Sequence, residues 1–236
     1  MFDFHLHLAR FASPQSVKRE LLSEGLCVNT IACEPWEWDA VLNSISQEKN
    51  IHYAFGIHPM IANRIANIDI ERLEDILQSN QDFHVGECGL DRRFDGYDAG
   101  ETQEQIFARQ VKFAARWNRP LQIHCVGDYS RILRIIQNVE AGAPAITGSI
   151  PQVILHRFGG DVSVVKSALK LLGNRAIFSL HADSFRKKAT IAAIREIPSS
   201  QVRFETDADD ESWTTPKIIA KLQEVQQLYG EIACKP

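Results

Sequence analysis

Histidine and carboxylate residues lie at the ends of short apolar segments that are far apart in this sequence. They are His5 and His7 in FDFHLH, Glu87 in FHVGECGL, His124 in PLQIHC, His156 in QVILH, and Asp207 directly after QVRFET. Imidazole and carboxylate groups bind Zn²⁺ and similar divalent cations, and such cations activate water for hydrolysis. If the fold brings them together, these six side chains would form a hydrolytic metal centre.

The elements that carry these residues alternate regularly along the chain. Apolar segments at 2–7, 25–33, 51–58, 83–90, 120–125, 152–156, 175–181 and 201–206 are separated by segments with helical spacing of apolar residues. Most of these eight are apolar at consecutive positions, which is typical of strands buried on both faces. Two of the helices are predicted to end at Gly173 and Gly230. Eight strand–helix units predict an α/β fold, a (β/α)8 TIM barrel that forms a single domain over residues 1–236.

An open doubly wound sheet is the alternative fold, but HLHLAR stands where its first strand would be followed by a glycine-rich turn. In a barrel the carboxyl ends of all strands meet at one face, so the six side chains would converge there. His5 and His7 are two residues apart on a strand and point to the same side. A lone strand-end histidine is usually just hydrogen-bonded, and Glu87 or Asp207 alone could cap a helix. Burying the whole set is unfavourable without a cation, so the combination favours a metal site.

His58 and Arg157 are predicted to contact the substrate. His58 closes the third apolar segment in GIHP, and the guanidinium of Arg157, which follows His156, could bind a phosphate. Each has a plainer alternative, because His58 could bond to the backbone and Arg157 could be solvated or ion-paired. His181 after the seventh segment could be a ligand, a substrate contact or a solvated residue. Residues 208–211 are predicted to form a solvated loop.

The composition excludes several classes of protein. A chain of 236 residues that is 44% hydrophobic and 24% charged is not disordered. Its net charge of −4 argues against a protein that coats nucleic acid by charge alone. The sequence has no run of 18 apolar residues, so no membrane span is expected. Five cysteines without a CxxC pair predict reduced thiols in a cytoplasmic enzyme, and nothing implies a protein partner.

Six motifs occur in an order that resembles the TatD family of metal-dependent deoxyribonucleases, part of the wider metallo-dependent hydrolase superfamily. They are FDFHLHL, GIHP, GECGLD, PLQIHC, ILHRFGG and ETDAD, and the resemblance extends from residue 1 to about 210. It implies two divalent ions (Zn, Mn or Mg) and DNA as the substrate. By this resemblance His5 and His7 bind one ion, Glu87 bridges both, His124 and His156 bind the second, and Asp207 binds an ion and serves as the catalytic residue that orients or deprotonates the attacking water.

The fourth segment offers Glu87 and no lysine, whereas amidohydrolases often use a carboxylated lysine as the bridge. This difference favours the TatD-like interpretation. Met60, Val126 and Arg157 differ from the family's usual residues, at positions that would hold DNA. They motivate an alternative in which an amidohydrolase-type metal enzyme acts on a small phosphate ester, lactone or cyclic amide. A third interpretation, a barrel that binds a ligand or partner without turnover, is disfavoured because all six ligand positions are present.

Overall fold

Eight parallel strands form one sheet in which each strand pairs with the next along the chain. A computed structural model describes residues 1–46, 48–142 and 149–233. The strands are β1 (Phe2–Leu6), β2 (Cys27–Ala32), β3 (Ile51–Phe55), β4 (His84–Asp91), β5 (Leu121–Val126), β6 (Val153–Leu155), β7 (Ala176–Leu180) and β8 (Val202–Phe204). The α/β barrel that the sequence predicts is confirmed, with one strand at each of the eight apolar segments; β4 and β5 each end one residue later than predicted, at Asp91 and Val126.

The helices alternate with the strands, as parallel crossovers require. They are α1 (Pro14–Ser23), α2 (Pro35–Leu42), α3 (Asn67–Ser79), α4 (Thr102–Trp117), α5 (Tyr129–Ala141), α6 (Val162–Leu172), α7 (Lys188–Ile194) and α8 (Thr215–Ala233). Local sequence sets the ends of α6, because the side chain of Asp161 accepts hydrogen bonds from two amides of its first turn and Gly173 follows it with φ +58°. The predicted end of α8 at Gly230 is wrong. The helix continues to Ala233, since the backbone at Gly230 stays helical.

Hydrogen bonds between β1 and the residues that follow β8 close the barrel. Asp3 is fully buried in β1 and accepts hydrogen bonds from the Thr206 amide (3.0 Å) and the Thr206 hydroxyl (2.5 Å). Further along, the Asp207 amide donates to the His5 carbonyl at 2.9 Å, and the His7 amide donates to the Ala208 carbonyl at 2.8 Å. These bonds place the end of β1 directly beside Asp207.

Two glycines allow β4 and β5 to approach closely on either side of Glu87. A Cβ at Gly86 would lie 2.4 Å from the Gln122 carbonyl oxygen, and a Cβ at Gly89 would lie 1.9 Å from the His124 carbonyl oxygen. Both glycines also have positive φ, +124° and +151°, which other residues rarely adopt. The GECG sequence therefore fixes where Glu87 sits relative to β5.

Apolar side chains from the strands and helices form one large core, with Trp38, Phe55, Phe107, Phe158 and Phe178 among its largest fully buried members. A second, small cluster contains Ile31, Cys33 and Ala54. Within the described residues no helix is both long and apolar enough to span a membrane. Cys27, Cys33, Cys88 and Cys125 are free thiols. The fifth cysteine, Cys234, lies outside the described residues.

The same substitution should have opposite effects at two glycines. Gly89→Ala is expected to lower the free energy of unfolding by about 3 kcal/mol or more, because its Cβ meets the β5 backbone and its φ is unfavourable. Gly230→Ala is the matched control and should raise stability by about 0.5 kcal/mol, because it lies in α8 with no atom within 4 Å of its Cβ. Urea unfolding of both variants measures the difference. Equal effects would contradict the close packing of β4 on β5.

Candidate metal centre

The six predicted ligands converge at the carboxyl ends of the strands, around the carboxylate of Glu87. Their positions in the fold are His5 within β1, His7 just after it, Glu87 within β4, His124 within β5, His156 after β6 and Asp207 after β8. Glu87 is 3% exposed, so its charge has little access to solvent. It must therefore be balanced by the side chains around it or by a bound cation.

One oxygen of Glu87 faces the two histidines of the first strand. Glu87 Oε2 lies 3.3 Å from His5 Nε2 and 3.8 Å from His7 Nε2. His7 Nε2 is also 3.5 Å from Asp207 Oδ1. These atoms form one group of nitrogen and oxygen donors on the β1 side of the barrel mouth.

The other oxygen of Glu87 faces a second set of histidines. Glu87 Oε1 lies 2.7 Å from His124 Nδ1, 3.4 Å from His156 Nε2 and 3.8 Å from His58 Nε2. His156 Nε2 is 3.9 Å from Asp207 Oδ2. In both Glu87 and Asp207, one carboxylate oxygen thus faces the first set of imidazoles and the other oxygen faces the second set.

The donor set fits a divalent cation. Neither ring nitrogen of His5 has a hydrogen-bond partner among the described residues, although His5 is fully buried. Donor atoms that share a tetrahedral ion with bonds of about 2.0–2.1 Å lie about 3.3 Å apart. Most of the nitrogen–oxygen separations given above, from 3.3 to 3.9 Å, are close to that value. His124 Nδ1 and Glu87 Oε1 are the exception, since they lie 2.7 Å apart, at hydrogen-bond distance. A cation would supply the partner that the His5 ring lacks.

The electrostatics of the cluster are those of carboxylates surrounded by imidazoles. Burial alone would raise the pKa of Glu87, but the facing rings of His156 and His5 outweigh it and hold that pKa well below its usual value. Burial likewise opposes the charge of His156, yet Glu205, Glu87 and Asp207 together raise its pKa to about 10. The floor of the site is therefore strongly anionic, and in the absence of a metal it holds protons that a divalent cation could displace.

His58 sits at the edge of the cluster as a hydrogen-bond donor. Its Nδ1 accepts a hydrogen bond from the Met60 amide at 3.0 Å, so the neutral ring carries its proton on Nε2. Burial lowers the pKa of His58 to about 3, which keeps the ring neutral. Its Nε2–H faces the cavity above Glu87 and is available to a bound molecule.

The structure places Arg157 over the cluster. The residue has a positive φ of 45°, and its Nη1 donates to Asp207 Oδ2 at 2.7 Å. Its Nη2 contacts the carboxylate of Asp183. Both partners are anionic, so the guanidinium is held at the wall of the site while its side chain stays partly exposed.

Two other sequence expectations concern neighbouring loops. His181 is not part of the cluster; its Nδ1 accepts a hydrogen bond from the Asp183 amide at 3.1 Å. In the acidic segment after Asp207, residues 209–211 are exposed, as the sequence predicts for a solvated loop. Ala208 is the exception, since it is fully buried and pairs with Leu6.

Two carboxylates that sequence reasoning missed contact the histidines from behind. Glu205 Oε1 lies 2.9 Å from His156 Nδ1, and Asp91 Oδ2 lies 2.9 Å from His124 Nε2. Both carboxylates are fully buried. The spacing of Glu205 and Asp207, two residues apart like His5 and His7, was a signal that they share a face. Asp91 offered no comparable signal, because its contact with His124 depends on how β4 packs against β5.

A cavity of about 630 Å³ opens above the cluster. Its walls carry six cationic residues, Arg10, Arg92, Arg93, Arg157, Arg186 and Lys187. Met60 and Val126, two of the three positions that depart from the expected family pattern, also line it. The cavity thus combines an anionic floor with walls that carry cationic side chains, some of them paired with carboxylates, as Arg93 is with Asp91 and Arg157 with Asp183.

The sequence is similar to those of curated proteins. The chain is 30% identical over 155 residues to the 3'-5' ssDNA/RNA exonuclease TatD of Edwardsiella piscicida, covering 65% of this chain and 56% of that protein. It is 25% identical over 171 residues to the uncharacterized metal-dependent hydrolase YabD of Bacillus subtilis, covering 70% of this chain and 62% of that protein. The matched regions thus span little more than half of these relatives.

A solved structure shows the same fold. The TatD homologue YJJV of Escherichia coli superposes with a TM-score of 0.80 over 100% of this chain and 91% of that one, at 19% identity. The profile of the TatD related DNase family matches residues 2–232. Since that match covers nearly the whole sequence, the chain belongs to the family of TatD related DNases.

Proposed function

We propose that this protein is a metal-dependent nuclease that hydrolyses phosphodiester bonds of DNA. The observation that carries the proposal is the position of Glu87, whose two oxygens face separate sets of imidazoles below a cavity with cationic walls. The relative from Edwardsiella piscicida is named a 3'-5' ssDNA/RNA exonuclease, which supports a nucleic acid as the substrate of this protein.

The ligand assignment follows from the two sets of donors. His5 and His7 would bind one ion, His124 and His156 the other, with Glu87 between them and Asp207 within reach of both sets. Imidazole-rich sites suit zinc, while manganese and magnesium prefer oxygen. A bound pair of ions would supply electrostatic activation of the attacking water and neutralise charge on the phosphate.

The protein's own residues supply orientation and proton transfer. Asp207 accepts the proton of the attacking water, because its carboxylate lies beside His7 and His156 at the centre of the site. His58 donates its Nε2–H to a phosphate oxygen, since its Nδ1 is already occupied by the Met60 amide. Arg157, fixed by Asp183, binds another phosphate oxygen and keeps the phosphate aligned with Asp207.

The charge of the cavity distinguishes the possible substrates. Cationic side chains on its walls fit a polyanion and give no advantage to a neutral lactone or cyclic amide. An assay of the purified protein on single-stranded DNA, a small phosphate diester, and a panel of lactones and cyclic amides separates these classes. Cleavage confined to the lactone or amide panel would replace the proposal with the amidohydrolase alternative.

Removing both histidines of β1 should weaken metal binding and abolish catalysis. The variant His5→Ala/His7→Ala loses both nitrogen donors that face Glu87 Oε2. We expect elemental analysis to show loss of bound metal and DNA cleavage to fall by at least 10²-fold, roughly the contribution of an electrostatic or acid–base group. The control is His52→Ala, a half-buried histidine in β3 whose ring stacks on Phe2. Unchanged metal content and cleavage in the double variant would rule out this site.

His58 should affect cleavage without affecting metal content. His58→Ala removes a donor to the phosphate, so DNA cleavage should fall by about 10²- to 10³-fold while bound metal is retained. His58→Gln keeps an N–H donor and should recover part of the loss. Elemental analysis and steady-state kinetics of both variants provide the test. Loss of metal from His58→Ala would instead make His58 a ligand.

A further inference from the structure

We propose that Glu205 is a positioning residue that fixes the ring of His156 so that Nε2, rather than Nδ1, faces the metal centre. The inference rests on one part of the proposed function, the metal centre around Glu87, and does not depend on which substrate is cleaved there. It adds a role for a buried carboxylate that lies outside the set of ligands. The carboxylate of Glu205 lies close to the side of the His156 ring that points away from Glu87.

The contacts of Glu205 show which group balances its charge. The residue directly follows β8 and is fully buried. Its Oε1 lies 2.9 Å from His156 Nδ1 and accepts a hydrogen bond from the Arg157 amide at 2.7 Å. Among the described residues, His156 is its one ion-pair partner, and no lysine or arginine side chain neutralises it. A carboxylate buried without a cation needs such a partner, so Glu205 and His156 depend on each other.

Because the two nitrogens of a neutral imidazole differ, the contact with Glu205 sets which nitrogen of His156 faces the metal centre. A neutral imidazole carries one proton and has one lone pair, on opposite nitrogens. An ionised carboxylate only accepts hydrogen bonds, so Glu205 favours a proton on His156 Nδ1. The lone pair is then on Nε2, which lies 3.4 Å from Glu87 Oε1 and 3.9 Å from Asp207 Oδ2. Metal-binding histidines are commonly oriented by a carboxylate in this way.

His5 brings a second ring close to the same carboxylate. The His5 and His156 rings stack with centroids 3.6 Å apart and planes 23° apart. One nitrogen of each ring and one oxygen of Glu205 lie within 4.8 Å of one another. Glu205 Oε2 has no hydrogen-bond partner among the described residues. One carboxylate therefore lies behind a histidine from each of the two donor sets.

The same arrangement occurs at His124 with the ring nitrogens reversed. Here Asp91 Oδ2 is 2.9 Å from Nε2, and Nδ1 points to Glu87 Oε1 at 2.7 Å. Asp91 in turn accepts hydrogen bonds from the Arg93 amide and the Arg93 guanidinium. Two strand-end histidines thus each have Glu87 on one nitrogen and a buried carboxylate on the other. This repetition indicates that the carboxylates act on the rings and do more than fill the core.

Nitrogen NMR of the cadmium-loaded protein tests which ring atom binds. Labelled His156 should show scalar coupling to cadmium at Nε2 and a protonated Nδ1. Coupling at Nδ1 with a proton on Nε2 would overturn the proposal. The measurement uses the wild-type protein and needs no variant. This readout does not depend on nuclease activity. A protein that binds cadmium as expected but cleaves no DNA would therefore refute the proposed function and leave this inference standing.

The variant Glu205→Gln tests the energetic role. A carboxamide has nearly the same shape but no negative charge, so it attracts a proton on His156 Nδ1 less strongly than the carboxylate does. We expect metal affinity, measured by competition with a chelator, to fall by about 10- to 100-fold. Circular dichroism should show the fold retained. The matched control is Glu104→Gln, which alters a carboxylate bound to Arg131 in α5 and should leave metal affinity unchanged.

Two results would contradict the role of Glu205. The first is a folded Glu205→Gln protein with wild-type metal affinity and unchanged coupling at His156 Nε2. The second is an equal loss of metal affinity in Glu104→Gln, which would mean that any lost ion pair weakens binding. Should Glu205→Gln fail to fold, the cadmium coupling in the wild-type protein still decides the question.

Discussion

The burial of a carboxylate among imidazoles at the barrel mouth is the interaction on which the rest of this structure depends. Removing an ionised carboxylate from water costs several kcal/mol, and attraction to nearby cationic or protonated groups must offset that cost. Glu87 is 3% exposed and contacts histidines from three different strands. Each of those histidines is in turn buried or nearly so, and none of them could occupy this position alone. A divalent cation relieves the whole set at once, which is why the donor geometry and the family relationship agree.

A few close contacts between neighbouring strands hold these side chains in position. Gly86 and Gly89 let β4 lie against β5, and the bonds between Thr206 and Asp3 hold the end of β8 against β1. Because β1 and β8 are neighbours only when the sheet closes, Asp207 reaches His7 through closure of the barrel. Stability and the geometry of the site are thus set by the same few contacts.

Differences from the expected family pattern lie on the walls of the cavity and leave its floor intact. Met60 and Val126 line the cavity, and Arg157 extends from the wall to contact Asp207. A metal centre at the floor of the cavity needs a fixed set of donor atoms, whereas the side chains of the walls contact only the bound molecule. Variation at the walls therefore changes which molecule fits the cavity more readily than it changes the donor set of the floor.

The sequence by itself determined the order of the elements and the identity of the six converging side chains. Consecutive apolar positions predicted most of the strands, and strand-end polar residues share a face in any parallel barrel, so His5, His124 and Asp207 could be grouped without coordinates. The continuation of α8 past Gly230 could not be predicted, because a glycine ends a helix only where the backbone leaves the helical region. Only the tertiary structure decided that Asp91 and Glu205 lie behind the histidines and that Arg157 contacts Asp207. Those contacts join residues from different strands and loops, and their distances depend on the packing of neighbouring strands, which no local pattern encodes.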